Sequence, residues 1–174
     1  VAISNEKGDP SFFGHYDHSP ISANGTKILY YSSNTHTKKR PGPSQKLEIM
    51  LYDVETKKSE KLTETKAFNW QQGARMQWVD KDRFIYNDYN EKKGRFISRI
   101  LNIKTQENKS FDYPIYDVFF DYALSLNFDR LANLRPDYGY FSRIQEKKMF
   151  DLNTEGVVYI DLLCNKAHLL IPIK

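Results

Sequence analysis

Three stretches of the chain alternate apolar and polar positions and close with the same kind of turn. They cover residues 48–57, 97–106 and 157–166, and in each one the apolar run is followed by Asp or Asn, one apolar residue and a polar turn. Alternation with a period of two is typical of a half-buried β-strand. A second short strand is predicted after each turn, at 59–63, 107–111 and 168–173. Each stretch is therefore predicted to open a β-hairpin.

The spacing of these turns indicates an internal repeat. Their anchors are Asp53, Asn102 and Asp161, separated by 49 residues (53 to 102) and 59 residues (102 to 161). Repeats of about 40–50 residues are typical of β-propeller blades. Two further strands are predicted before each hairpin, and in the first repeat the Asn24-Gly25 pair supplies a turn between them. Inner strands are predicted near 16–22, 74–79 and 113–119, and second strands near 27–32, 83–87 and 123–127.

The repeat predicts an all-β fold, a β-propeller with about three four-stranded antiparallel blades. The blades are predicted at 12–64, 65–112 and 113–174, within a single domain or fragment of one over 1–174. An antiparallel β-sandwich, which also has short strands at even spacing, is the alternative. The third blade is interrupted by an insertion at 130–155, with helical turns predicted at 129–133 and 142–150.

Three blades are fewer than a closed propeller needs, because closed propellers usually have about four to eight. The outer faces of the first and last sheets would then have no neighbouring sheet. Large apolar patches are rare on the surfaces of monomers. We therefore expect either that the chain is part of a larger propeller or that it self-associates through its terminal blades.

Composition excludes several classes of protein. The 174 residues include 26 Lys+Arg and 22 Asp+Glu, a net charge of +4, and the two signs are interspersed, so no nucleic-acid partner is expected. The single cysteine, Cys164, excludes an intrachain disulfide and a cysteine-based zinc site. No apolar stretch approaches the ~20 residues that a membrane span needs. We expect a cytoplasmic protein, or a periplasmic one if a signal peptide has been removed.

Several motifs that follow one another along the chain carry a family resemblance. They are FFGHYDHSP at 12–20, ETKAFNWQQGARMQW at 64–78, FIYND at 84–88, GRF at 94–96, and LSLNF at 124–128 followed by LRPDYGY at 134–140. In this order they resemble the motifs FFGYYDKSPW, ET.AWNWQQGA.LQW, FND…GRF and ALSLDF.RL..LRPGYGY of a family of uncharacterised bacterial β-propeller proteins. Its members are often encoded near polysaccharide-biosynthesis genes. His15 and His18 stand where that family usually has Tyr and Lys.

The resemblance implies a fold and a biological setting. It implies a propeller that is linked to polysaccharide assembly, and it implies no particular reaction. More distantly, the blades are similar to TolB-type and WD-repeat-like propellers and to the propeller of oligogalacturonate lyase.

Candidate ligand-binding residues lie where the inner strands begin. Segments 14–19, 69–75 and 113–117 occupy equivalent positions in the three blades, so the repeat predicts that they meet at one rim. Aromatic rings can pack on the C–H faces of sugars, and amides can pair with sugar hydroxyls. The candidates are Asp17, Trp70, Gln71, Gln72, Arg75 and Tyr116, together with Tyr138 and Tyr140 of the insertion.

Each of these assignments has a structural alternative. Trp70 is also compatible with packing between blades, and the two glutamines with hydrogen bonds to buried backbone groups. The tyrosines of the insertion either form a lid over the rim or cover the exposed side of the third blade. The basic run 38–40 is too short for nucleic-acid recognition and is predicted to be a solvated hairpin loop.

Two histidines at the first rim segment are candidates for catalysis. His15 or His18 is a candidate general base, and the alternative is that both form hydrogen bonds between blades while Asp17 caps the Ser19-Pro20 turn. On a strand, His15 and Asp17 would share a face and could supply two metal ligands. A zinc site needs three or four protein ligands. No metal and no cofactor are therefore expected.

The sequence predicts a binding function in preference to a reaction. It contains no Gly-rich phosphate loop and no Gly-x-Ser-x-Gly elbow. The prediction is a non-catalytic propeller module that binds a carbohydrate or a partner protein, and the sequence favours this over an enzyme. The alternative is a glycan-active lyase or hydrolase that uses a rim histidine as its base.

Overall fold

The computed structural model describes residues 9–35, 37–140 and 152–173 of the chain. Across these ranges, twelve strands form three separate four-stranded antiparallel sheets. The first sheet contains β1 (Ser11–Phe12), β2 (Lys27–Ser32), β3 (Leu47–Asp53) and β4 (Lys58–Thr65). The second contains β5 (Gln77–Trp78), β6 (Arg83–Asn90), β7 (Arg95–Asn102) and β8 (Asn108–Phe111). The third contains β9 (Asp117–Phe119), β10 (Tyr122–Ser125), β11 (Gly156–Asp161) and β12 (Lys166–Pro172).

Within each sheet, strands that are consecutive in sequence are neighbours, which is the arrangement of successive propeller blades. The three anchors Asp53, Asn102 and Asp161 lie at the turns between the third and fourth strands of successive sheets. In each turn the anchor Oδ1 accepts hydrogen bonds from the backbone N–H groups two and three residues further on, at 2.8–3.1 Å. Asp and Asn recur at this position because their short side chains can close such a turn. The predicted all-β propeller fold is confirmed.

The core lies between neighbouring sheets. Along β6, Phe84 and Tyr86 pack with Leu29 and Tyr31 of the first sheet, whereas Ile85 packs on the other side with Ile160 and its neighbours in the third sheet. Successive side chains of a strand point to opposite faces of the sheet. The second sheet packs against the first sheet on one face and the third sheet on the other, and for this reason both of its faces are apolar.

The inner strand of the first sheet differs from its prediction at 16–22. The sheet begins instead at β1, which pairs Ser11 with Ser32, and the chain then leaves the sheet and returns only at the Ile21–Ile28 bridge. Gly14 has φ of +125°, and Pro20 lacks an N–H for a strand ladder. Residues 13–20 consequently form a loop that stands at the rim.

The insertion after β10 begins with a helix, α1 (Phe128–Leu134). The Asn127 side chain caps it by accepting a hydrogen bond from the Arg130 backbone N–H at 3.0 Å. The helix covers the prediction at 129–133, and the prediction at 142–150 lies outside the described residues. No helix in the described ranges is both long enough and apolar enough to cross a membrane.

Candidate functional site

The Arg75 side chain lies where the three rim segments meet. It is 1% exposed, and its Nη1 donates to Asp17 Oδ2 at 2.9 Å. Its Nη2 lies 2.6 Å from His18 Nε2, and its Nε donates to the Tyr116 carbonyl at 2.8 Å. The guanidinium carbon is also 4.2 Å from the centre of the Tyr116 ring. Arg75 of the second sheet therefore holds the rim segments of the first and third sheets; we call Asp17, His18, Arg75 and Tyr116 the Arg75 cluster.

The backbone around Arg75 is shaped by Tyr31 of the first sheet. The Tyr31 hydroxyl accepts hydrogen bonds from the backbone N–H groups of Ala74 and Met76, both at 3.0 Å. Its ring lies so close beneath Gly73, at φ +60°, that a Cβ there would be 2.1 Å from a ring carbon. Arg75 itself adopts φ of +53°, which is uncommon for a residue other than glycine. This tight path brings the Arg75 side chain into the rim.

The same kind of support recurs between the second and third sheets. Asn87 of β6 is 0% exposed. Its Nδ2 donates to the Ile115 carbonyl at 2.7 Å, and its Oδ1 accepts from the Ile115 N–H at 2.6 Å. The third rim segment is therefore fixed by a buried side chain of the preceding sheet.

Contacts within the Arg75 cluster lower the pKa values of two of its members, Asp17 and His18. Burial raises the pKa of the Asp17 carboxyl, but the hydrogen bond and positive charge of Arg75 outweigh burial and leave this pKa below its ordinary value. Burial of the His18 ring, and then the charge of Arg75, lower the pKa of His18. Guanidinium nitrogens only donate, so His18 Nε2 must accept and carry no proton. His18 is neutral, with its proton on Nδ1.

We expect the free energy of unfolding to decrease as the pH falls below 6.5, the ordinary pKa of histidine. Below that pH the unfolded chain protonates His18, whereas the folded chain resists protonation because its His18 pKa is lowered, so unfolding takes up a proton. The measurement is urea unfolding at several pH values between about 8 and 5, in the native protein and in His18→Gln. The variant keeps an acceptor for Arg75 but cannot titrate, so its pH dependence should be shallower. Identical profiles for the two proteins would contradict the expectation.

An exposed aromatic surface lies beside the cluster. Tyr16 is 91% exposed, and its ring lies 4.1 Å from the His15 ring, measured between centres. The Tyr138 ring meets His15 edge-on at 6.4 Å. We call His15, Tyr16 and Tyr138 the aromatic platform. Tyr16 was not among the candidates from sequence, which placed it at the start of an inner strand at 16–22.

His15 also contacts the cluster. Its Nδ1 lies 3.3 Å from Asp17 Oδ1, and its side chain is 13% exposed. The other carboxylate oxygen of Asp17 is the one bound by Arg75. Asp17 therefore connects the aromatic platform to the Arg75 cluster.

The candidates of the second rim segment have three different environments. Trp70 is half-buried, with its ring edge-on to Phe68 at 5.2 Å, and its Nε1 donates to the Lys39 carbonyl at 2.5 Å. Gln71 is exposed. Gln72 is 2% exposed, and neither atom of its side-chain amide has a hydrogen-bond partner among the described residues. The structure thus brings Trp70 and Gln71 to the rim surface, and Gln72 beneath it.

Tyr140 lies in the core, away from the rim surface. It is 0% exposed, its ring stacks on Phe128 at 4.3 Å, and its hydroxyl accepts from Asn87 Nδ2 at 2.6 Å. Its pKa is raised by this burial. Because Tyr140 is fully buried, it presents no surface to a ligand at the rim, and we leave it out of the proposed site.

His15 and Asp17 were also the residues that a metal ion would use. Within the described ranges, no group of three or more His, Cys, Asp or Glu side chains is arranged to hold a metal ion. Asp17 is instead engaged by a cation of the protein itself, Arg75.

Comparison with solved structures supports the fold assignment. The chain is similar to the β-propeller domain of the trilobed protease from Pyrococcus furiosus, which has an open velcro topology, with a TM-score of 0.52 and 15% identity over 88% of this chain and 42% of that one. It is also similar to TolB from Acinetobacter baumannii, with a TM-score of 0.42 and 17% identity over 94% of this chain and 44% of that one. Oligogalacturonate lyase in complex with manganese gives 0.36 and 9% identity over 87% of this chain and 52% of that one. No protein-family profile and no curated protein sequence matches the chain.

The match to the trilobed protease domain identifies the class of fold, and the coverage shows how much of such a domain the chain spans. Three consecutive four-stranded sheets that overlay a propeller domain define a partial β-propeller. The chain spans less than half the length of the trilobed protease domain and of TolB.

Proposed function

We propose that this chain is a non-catalytic binding module that binds a glycan on the aromatic platform at its rim. The observation that carries the proposal is the exposure of Tyr16, which is 91% in a loop that Asp17 ties to the buried Arg75. An exposed ring held in a fixed loop offers an apolar surface at a low cost in conformational entropy. The C–H face of a sugar can pack on such an aromatic ring.

Polar groups around the platform support the same function. Gln71 is exposed beside Trp70 and can offer its amide to sugar hydroxyls. The Tyr138 backbone is held to the second rim segment by Asn69, whose Nδ2 donates to the Tyr138 carbonyl at 2.9 Å. The platform therefore combines residues of the first rim segment and the insertion on a preorganised support. Its link to polysaccharide assembly rests on the motif resemblance, and a partner protein is the other ligand that we propose for it.

A glycan-active enzyme is the second candidate, and the His15–Asp17 contact favours it. The Asp17 carboxylate lies 3.3 Å from His15 Nδ1, close enough to orient the ring of a general base. His18 is a weaker candidate for the base, because its Nε2 already accepts from Arg75. Arg75 in turn uses its donors within the cluster, so it is not free to neutralise a ligand carboxylate.

Tyr16→Ala is expected to weaken glycan binding at least about tenfold, a loss of about 1.4 kcal/mol. The ring is nearly fully exposed, so the urea midpoint should not change. A glycan array identifies a ligand, and titration calorimetry then compares the native protein with Tyr16→Ala. The control is Leu163→Ala, which removes a 69% exposed apolar side chain at the turn between β11 and β12, at the opposite end of the third sheet.

Two results would change this proposal. Binding that is equally weak in both variants, or unaffected in both, would show that the platform is not the site. Shortening of the bound glycan during incubation, abolished in His15→Ala, would favour the enzyme in place of the binding module. Trp70→Ala adds a further readout: loss of binding without loss of stability places its ring at the site, whereas unfolding shows that the ring belongs to the core.

A further inference from the structure

The basic loop, defined by Lys38, Lys39 and Arg40, is attached to the rim. The Lys39 carbonyl accepts the hydrogen bond from Trp70 Nε1, and Arg40 Nη2 lies 3.4 Å from Asp137 Oδ1. These partners belong to the second rim segment and to the insertion. The basic run is exposed, as in a solvated loop, and it also contacts the rim at these two points.

This attachment brings the backbone of the basic loop, and with it two lysines, next to the residues that hold Tyr138 of the aromatic platform. Asp137, the partner of Arg40, directly precedes Tyr138 in the chain, and Trp70 directly follows Asn69, which binds the Tyr138 carbonyl. The basic loop is thus connected to the Tyr138 side of the platform at two points. Lys38 and Lys39 are exposed, and neither ammonium group forms an ion pair among the residues that the structure describes.

Among the residues that the structure describes, further charges at this rim leave an excess of positive charge. The exposed Arg135 places its guanidinium carbon 5.0 Å from the centre of the Tyr138 ring. The carboxylates of Asp17 and Asp137 are already neutralised by arginines. Asp117, at the start of β9, is exposed and adds one negative charge on the His18 side. The Tyr138 side of the platform is consequently bordered by cations.

We propose that the glycan bound at the rim is anionic, with carboxylate or sulfate groups that contact Lys38 and Lys39. This inference rests on the proposed function and specifies its ligand class. An exposed lysine gains little from one ion pair in water, but a polymer that repeats its charges engages several cations at once. Such binding must weaken as salt screens the charges, because the Debye length falls from ~10 Å at 0.1 M to ~3 Å at 1 M salt. The two lysines are specificity-determining residues, and the aromatic platform supplies the contact with the sugar ring.

The test uses three polymers and two double variants. Sodium alginate supplies carboxylates, dextran sulfate supplies sulfates, and dextran is neutral. We expect binding of at least one anionic polymer and none of dextran, with about tenfold weaker binding in Lys38→Gln/Lys39→Gln. The matched control, Lys57→Gln/Lys58→Gln, removes the same charge from the turn between β3 and β4, at the opposite end of the first sheet, and should leave binding unchanged.

The arms of the experiment separate the outcomes. Binding of alginate alone identifies carboxylate as the recognised group, binding of dextran sulfate alone identifies sulfate, and binding of both shows recognition of charge. Equal binding of dextran, or equal weakening by the two double variants, would overturn the inference. A neutral glycan bound through Tyr16 would keep the proposed function and reject an anionic ligand, whereas absence of binding to any glycan would reject both.

Discussion

Arg75→Met is expected to lower the free energy of unfolding by about 3 kcal/mol, the lower end of the loss for breaking a buried ion pair by removing one partner. The side chain is 1% exposed, and its loss leaves the Tyr116 carbonyl without the Arg75 Nε donor and Asp17 without its cation. The lower end applies because Asp17 is 32% exposed and water can solvate part of its charge. The measurement is equilibrium unfolding in urea.

The control for this prediction is Arg83→Met. Arg83 also pairs with a carboxylate, Asp80, at 2.6 Å, but both side chains are about 40% exposed. A pair of this kind contributes less than about 1 kcal/mol. If the two variants lose the same stability, Arg75 does not hold the three rim segments together. Glycan binding should also be weaker in Arg75→Met, because the loop that carries Tyr16 loses its attachment.

The 174-residue chain is expected to associate at micromolar concentration through the outer face of the third sheet. Register places Phe119, Tyr122, Leu124, Tyr159 and Ile171 on this face, and the first four of them line a shallow cleft of about 240 Å³. Phe119 is 72% exposed and Ile171 is 59% exposed. Apolar patches of this kind on a soluble monomer mark sites of interaction. In a longer propeller, a fourth sheet would cover the same face, as the second sheet covers the opposite one.

Charges on this face should prevent association. Phe119→Glu/Ile171→Glu is expected to give the mass of a single chain, 20.5 kDa, in light scattering across the concentrations at which the native chain is larger. Val54→Glu introduces a charge at an apolar residue that is 41% exposed, at the far turn of the first sheet, and should associate like the native chain. A native chain that scatters as a stable 20.5 kDa species at every concentration would contradict the prediction.

Local pattern was sufficient to predict the sheets. Hairpins close on Asp53, Asn102 and Asp161 because both the strand alternation and the hydrogen bonds of the turn are made within ten residues. The convergence of the rim segments was also accessible, since equivalent positions in a repeat must lie at the same end of the sheets. The contact of Arg75 with Asp17, 58 residues apart, agrees with that expectation.

The details of the rim were not accessible, because they depend on contacts between distant segments. The loop at 13–20 follows from Gly14, whose Cβ, if present, would be 2.9 Å from the Gln72 carbonyl oxygen. The position of Trp70 depends on a hydrogen bond to Lys39 and on packing against Phe68. The alternation of apolar and polar residues along the chain cannot predict contacts between distant segments. The ligand-binding roles of the rim residues remain predictions.

Tyr31 and Asn87 give the propeller a direction of assembly. Each belongs to the second strand of one sheet, and each binds the backbone of the next sheet at its rim. The second and third rim segments therefore cannot take their final shape until the preceding sheet has formed. Because a ribosome releases the chain from its N-terminus, that sheet is always the one already synthesised. Each blade can serve as the template for its successor while translation continues.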